Sequence, residues 1–231
     1  MKTIYLKLIF STLLVQLTFA QVEKKDDSFL DYALLFKNHF SPYFKIKRKD
    51  GAVVQISEND PVWKYVAEAF LKKTPNGTIC WLNRNPDGVG KSAMGQCYLA
   101  RTGYIEIRLS HKFDNGEIAV EQFWKTLIFE ICNAEQAGNF LDLMQKLSSG
   151  KITRSEFSDS SMRFEFSSAV RSKEFQKNIW RPFCKNNNIE CSNIDWFFPE
   201  GATFQQWVDM LKMTERGREY LNTYFDSEKV P

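Results

Sequence analysis

The chain has 231 residues, 43% hydrophobic and 15% aromatic, with 20 Phe and 6 Trp. That is enough apolar surface for one sizeable core, and it excludes a disordered composition. The formal charge is +3. Lys2 and Lys7 lie in a segment expected to be removed; the 31 basic residues less these two leave 29 against 28 acidic ones. A nearly neutral chain gives no electrostatic case for nucleic acid. Its two histidines, His39 and His111, are too few for a histidine-rich metal site.

Residues 1–20 have a basic start, an apolar run over residues 8–17 and Thr18-Phe19-Ala20 before Gln21. This pattern predicts a cleaved signal peptide, hence a secreted or periplasmic domain over residues 21–231. The run is too short to span a bilayer comfortably, so no stable membrane span is expected after cleavage.

Residues 28–40 predict a helix with Asp26, Asp27 or Ser28 as cap. Two short strands flanking Asp50-Gly51 predict a hairpin. Lys45, Lys47, Arg48 and Lys49 read as its solvated face, and His39 as a packing or surface residue. Asp60-Pro61 opens a helix that buries Val62, Val66, Ala69 and Phe70 and stops by residues 74–77. Asn76-Gly77-Thr78 is a glycosylation sequon, which matters only in a eukaryotic secretory pathway.

Residues 78–83 are strand-like, and residues 83–95 form a loop. Its Gly-Val-Gly-Lys-Ser is not a phosphate loop. Position 85 is Asn where glycine is required, and a strand follows in place of a helix. Residues 96–100 and 104–110 predict a second hairpin. Ile105, Ile107 and Leu109 form its buried face, and Glu106 and Arg108 its wet face. A lone His111 follows. Residues 119–140 predict one long helix with Val120, Phe123, Leu127, Ile131 and Ala134 on one face, its amino end suited to Glu117 and Glu121. At about 100° per residue, Phe129 points roughly opposite that stripe, with Gln122, Thr126 and Asn133 beside it.

A short helix over residues 139–147, a break at Gly150 and a mostly helical stretch over 153–185 follow, with Pro182 ending or kinking it. Further helices are expected over 203–213 and 218–225. The fold class is α+β: a small antiparallel sheet packed against a central helix, then a mainly helical carboxy-terminal part.

Export would permit disulfides. Cys184 and Cys191 bracket an Asn-rich loop and could close it, and Cys80 and Cys97 lie on strands expected to be neighbours and could pair across them. Cys132 is left over inside the central helix and reads as a buried structural thiol.

The centre of that helix is Leu127-Ile128-Phe129-Glu130-Ile131-Cys132-Asn133-Ala134. A strand, a short polar link and then this helix resemble the layout of zinc-dependent peptidases of the zincin fold, whose helix carries LxHExxHA. Downstream, Arg163-Phe164-Glu165-Phe166 resembles the later helix that places a glutamate as third metal ligand in many such families. The resemblance covers residues 96–173. It implies Glu130 as general base, Glu165 as third ligand, and Phe129 and Asn133 as lost metal positions. Phe129 has no donor atom, so no metal and no cofactor are expected.

The resemblance implies an exported, inactive metallopeptidase-like domain, a pseudopeptidase acting in binding or structure, with an unknown protein, peptide or glycan as partner. Two other classes compete. An active hydrolase would use Glu130 and Glu165 as paired carboxylates and needs both to face one open cleft. A module binding glycans or envelope polymers would use Trp196-Phe197-Phe198 as a stacking platform and needs Trp196 exposed.

Overall fold

The computed structural model describes residues 32–81, 94–100, 103–114 and 119–225. The expected signal peptide and the Gly-Val-Gly-Lys-Ser loop lie outside the described residues. The fold is α+β. In chain order the elements are α1 Tyr32–His39, β1 Lys45–Lys47, β2 Val53–Gln55, α2 Pro61–Leu71, β3 Lys73–Thr74, β4 Gly77–Cys80, β5 Gly95–Ala100, β6 Tyr104–Leu109, α3 Val120–Glu135, α4 Ala137–Ser148, α5 Arg154–Phe175, α6 Arg181–Asn186, α7 Phe204–Lys212 and α8 Glu215–Phe225. No helix among the described residues is long and apolar enough to cross a membrane.

The hairpin around Gly51 forms as expected: β1 and β2 pair antiparallel, Lys45 opposite Gln55, and Gly51 takes φ +87° at the turn. Helix α2 buries Val62, Val66, Ala69 and Phe70. Asp60 precedes it, but its carboxylate accepts from Ser57 N and Ser57 Oγ at 2.6 and 2.7 Å and leaves the helix amides alone.

The second sheet is mixed. Its order is β3-β4-β6-β5, with β4 and β6 parallel and the other pairs antiparallel. Strand β6 therefore inserts between β4 and β5, which follow one another in sequence. Cys80 lies opposite Glu106, and Cys97 opposite Ile107. Adjacent residues of β6 face opposite sides, so Cys80 and Cys97 are on opposite faces and two strands apart, about 9–10 Å. The expected Cys80–Cys97 bridge is excluded by this order. The expected wet face of β6 is corrected as well. Glu106 is buried, beside Arg108 at 3.1 Å.

The long central helix ends one turn early. Gln136 leaves helical geometry and its side chain donates to Phe164 O and Ser168 Oγ on α5, while Glu135 is paired with Lys72 and Arg171. These tertiary contacts override the local helical preference and divide the segment into α3 and α4. Pro182 does not end its helix. A wider π turn at Gln176–Trp180, with Arg181 N bonded to Gln176 O, absorbs the proline, and α6 continues to Asn186.

Two cores result. In the first, α1, α2, the sheet and α3 bury Phe36, Phe70, Ile105, Phe123, Trp124 and Leu127. In the second, α4, α5, α7 and α8 enclose Leu143, Met162, Ala169, Trp207 and Leu221. Helix α3 serves both. Its apolar stripe enters the first core, and Phe129, on the opposite face, enters the second.

Candidate functional site

The face of α3 opposite its apolar stripe packs on α5, and the two helices run antiparallel. Arg171, Ser172 and Ser168 of α5 meet Glu135, Cys132 and Gln136 respectively. Close approach is possible because α5 presents small residues there. Ser158, Ser161, Ser168, Ala169 and Ser172 are all buried at helical spacing. Nothing in their composition marks them as core, since serine reads as polar. The one pattern that marks them is their recurrence at three- and four-residue steps around Glu165, which hydropathy alone does not pick out.

Within this seam the structure brings together Glu130, Asn133 and Glu165, which are 2%, 1% and 0% exposed. Asn133 Nδ2 donates to Glu165 Oε2 at 3.2 Å. Glu130 Oε2, Asn133 Oδ1 and Ser161 Oγ are buried with no hydrogen-bond partner among the described residues. Burial, and then the charge of Glu165, push the Glu130 carboxyl well above the usual carboxylate range; the Asn133 amide opposes this in part. Burial and Glu165 thus both favour the protonated, neutral form of Glu130.

Strand β5 supplies the third wall, which the sequence did not reveal. A Cβ on Gly95 would lie 2.8 Å from Glu130 Cγ and 3.0 Å from Glu130 Oε1, so only glycine lets the strand pass here. Cys97 follows two residues on. Burial, and then the nearby Glu130 and Glu165, raise its thiol well above the ordinary value. It is no nucleophile. Cys132 is also buried, with Ser172 Oγ and Tyr65 OH each 3.9 Å from its sulfur, and burial raises its thiol too. The reading as a structural thiol holds.

Phe129 lies beside this seam and is 9% exposed. Its ring packs on Phe197 with centroids 5.0 Å apart, and Lys125 Nζ lies 4.4 Å from the other ring's centroid. Phe197 pays for this position with φ +68°, a conformation that bulky residues rarely adopt. The segment carrying it is fixed from two sides. Glu121 accepts from Ser192 N and Trp196 Nε1, both at 2.9 Å, and Gln176 accepts from Trp196 N at 2.7 Å. Glu121 is thus an anchor for a neighbouring segment as well as an acidic residue in the first turn of α3.

These positions bear on each of the expected chemistries. Neither Glu130 nor Glu165 faces an open cleft, which the paired-carboxylate hydrolase requires. Trp196 is 3% exposed and stacks on Phe175, and Phe198 is buried with Phe197 half-buried between them, so the segment lacks the exposed Trp196 that a stacking platform needs. Zinc takes donors at about 2 Å with tetrahedral freedom around them. Here Phe129 offers none, Asn133 turns its amide nitrogen to Glu165, and no cluster of three or more His, Cys, Asp and Glu among the described residues could hold a metal ion. The residues present do not fit zinc.

Two further positions are placed. His39 Nε2 lies 3.0 Å from Asp114 Oδ1, and its ring packs on Phe40 and Trp81, a packing and surface role. His111 opens a short 3-10 turn, His111–Phe113. No two cysteines are bonded in the structure, and Cys184 and Cys191 stand 4.3 Å apart. Compared with known protein families, curated proteins and solved structures, the chain matches none.

Proposed function

We propose that this chain is an exported, catalytically inactive domain of zinc-peptidase type, in which the metal-binding seam has become part of the core and which acts by binding or as a structural unit. The observation that carries this reading is the pairing of Asn133 with Glu165 between α3 and α5, beside Phe129 in its own apolar cluster. The two helices meet where the resemblance would bring ligands together. Each would-be ligand position is now occupied by a packing or hydrogen-bonding partner.

Hydrolysis by Glu130 alone is not supported. A water becomes a nucleophile near neutral pH when a metal lowers its pKa. A neutral, buried carboxyl has neither the charge nor the access to replace that. The partner is a protein, peptide or glycan reached by a surface other than this seam. Export follows from residues 1–20 and is part of the same reading.

The test is to restore the pattern. The Phe129→His, Asn133→His double variant and the unaltered protein are each offered zinc and a mixture of unstructured peptides. The reading predicts no cleavage by the unaltered protein. Peptide cleavage by the unaltered protein, abolished by Glu130→Gln, would overturn it.

A further inference from the structure

Residues 184–191 hold two thiols in a loop that is already closed by its backbone. Ile189 N donates to Cys184 O at 2.8 Å, Asn187 N to Phe183 O at 3.1 Å, and Asn188 takes φ +54° to reverse the chain. The first hairpin grips the same loop from outside. Lys49 N donates to Asn188 O at 2.9 Å, and Arg48 bridges Ile189. Cys184 is buried at the end of α6, Cys191 is half-buried at the loop's exit, and the two stand 4.3 Å apart.

We infer that Cys184 and Cys191 are a disulfide site, and that its closure clamps the segment that carries Phe197 onto Phe129. A disulfide places its sulfurs about 2 Å apart, so closing this pair asks for an approach on the scale of a side-chain rotation. The backbone that must hold the two residues together is already hydrogen-bonded in place. No other pair competes, because Cys80 and Cys97 are kept apart by β6, and Cys132 lies in the α3–α5 seam.

The chemistry needs an oxidant of the small-molecule disulfide class. The Cys191 thiolate, the more accessible of the two, attacks one sulfur of that disulfide and releases the first thiol. The Cys184 thiolate then attacks the Cys191 sulfur of the mixed disulfide and releases the second. One external disulfide is reduced to two thiols, and the protein dithiol is oxidised to one disulfide.

The consequence is mechanical. Ser192 follows Cys191 directly and is bonded to Glu121 on α3, and Trp196 is bonded to the same carboxylate. The covalent link therefore joins α6 to the strap that closes over the first turn of α3.

The purified protein is equilibrated in graded mixtures of reduced and oxidised glutathione, quenched with acid, alkylated after denaturation and mapped by peptide mass spectrometry. The expected result joins Cys184 to Cys191 and leaves Cys80, Cys97 and Cys132 alkylated. The thermal midpoint of the oxidised form should exceed that of the reduced form, and the difference should vanish in Cys191→Ser. Persistence of all five thiols, pairing with another cysteine, arrest at a Cys191–glutathione mixed disulfide, or a midpoint difference that survives Cys191→Ser would each overturn the proposal.

Discussion

Asn133 on α3 donates its side-chain amide to Glu165 on α5 at 3.2 Å, across a seam in which both residues are almost wholly buried. This hydrogen bond joins the Arg171–Glu135 pair and the Ser172–Cys132 contact in tying the two helices, while Asn133 Oδ1 and Glu130 Oε2 have no hydrogen-bond partner among the described residues. A buried polar pair of this kind costs much when half removed and little when both halves go. Asn133→Ala should therefore destabilise the protein by about 2–3 kcal/mol, and Asn133→Leu with Glu165→Leu by clearly less than the two single changes combined. Denaturant unfolding of the four-member cycle measures this.

Glu130 gives a pH dependence of definite sign. Its carboxyl titrates well above the usual range in the folded state, through burial first and Glu165 second. The folded state thus holds a proton that the unfolded chain releases at about pH 4.3. Stability from this group is fully present below that pH and is lost as pH rises toward the folded value, at up to about 1.4 kcal/mol per pH unit. Glu130→Gln removes the linkage. Its unfolding free energy should fall less steeply than the unaltered protein's as pH rises above the ordinary glutamate value of about 4.3. Equal slopes for the two proteins would contradict the assignment.

Phe129 packs into the second apolar cluster beside the seam. Phe129→Ala deletes a ring packed on Phe197 and should cost about 3–5 kcal/mol. Phe197→Ala should cost less, because the same change loses packing but leaves a smaller side chain at φ +68°. The ratio of the two unfolding free energies checks the strain argument.

Gly138 opens α4 against the sequon residue: a Cβ there would lie 2.4 Å from Asn76 Nδ2. Gly138→Ala should destabilise only slightly, by less than about 1 kcal/mol, because the amide it meets is the far end of a side chain that can swing aside. In an Asn76→Ala background the same change should become neutral or stabilising by up to about 1 kcal/mol, since alanine is the better helix former. A double-mutant cycle reads the change of sign.

Part of this was legible in the sequence. The 3.6-residue period of α2 and α3 placed their buried faces, and the rotation of Phe129 away from its helix's stripe was legible, although the second core that this face enters was not. Three things were not legible, each for a physical reason. Strand order depends on which strands meet in space, so β6 inserting between β4 and β5 could not be read from succession, and the Cys80–Cys97 pairing failed with it. The serine stripe of α5 is core because small side chains let two helices approach, a property that hydropathy does not express. The break at Gln136 and the π turn before Pro182 are set by partners 28 or more residues distant and by one proline's ring, against local preference. For the site, the sequence supplied Glu130, Asn133 and Glu165 through a resemblance. Their burial, and the glycine that walls them in, came only with the fold.

The central claim is that the seam between α3 and α5 is a packed core and not a metal centre. The measurement that tests it most directly is metal content by mass spectrometry, on protein purified without chelator, offered zinc and desalted. The account predicts no stoichiometric zinc, and no change in that result for Glu165→Ala. One zinc per chain, lost in Glu165→Ala, would contradict it.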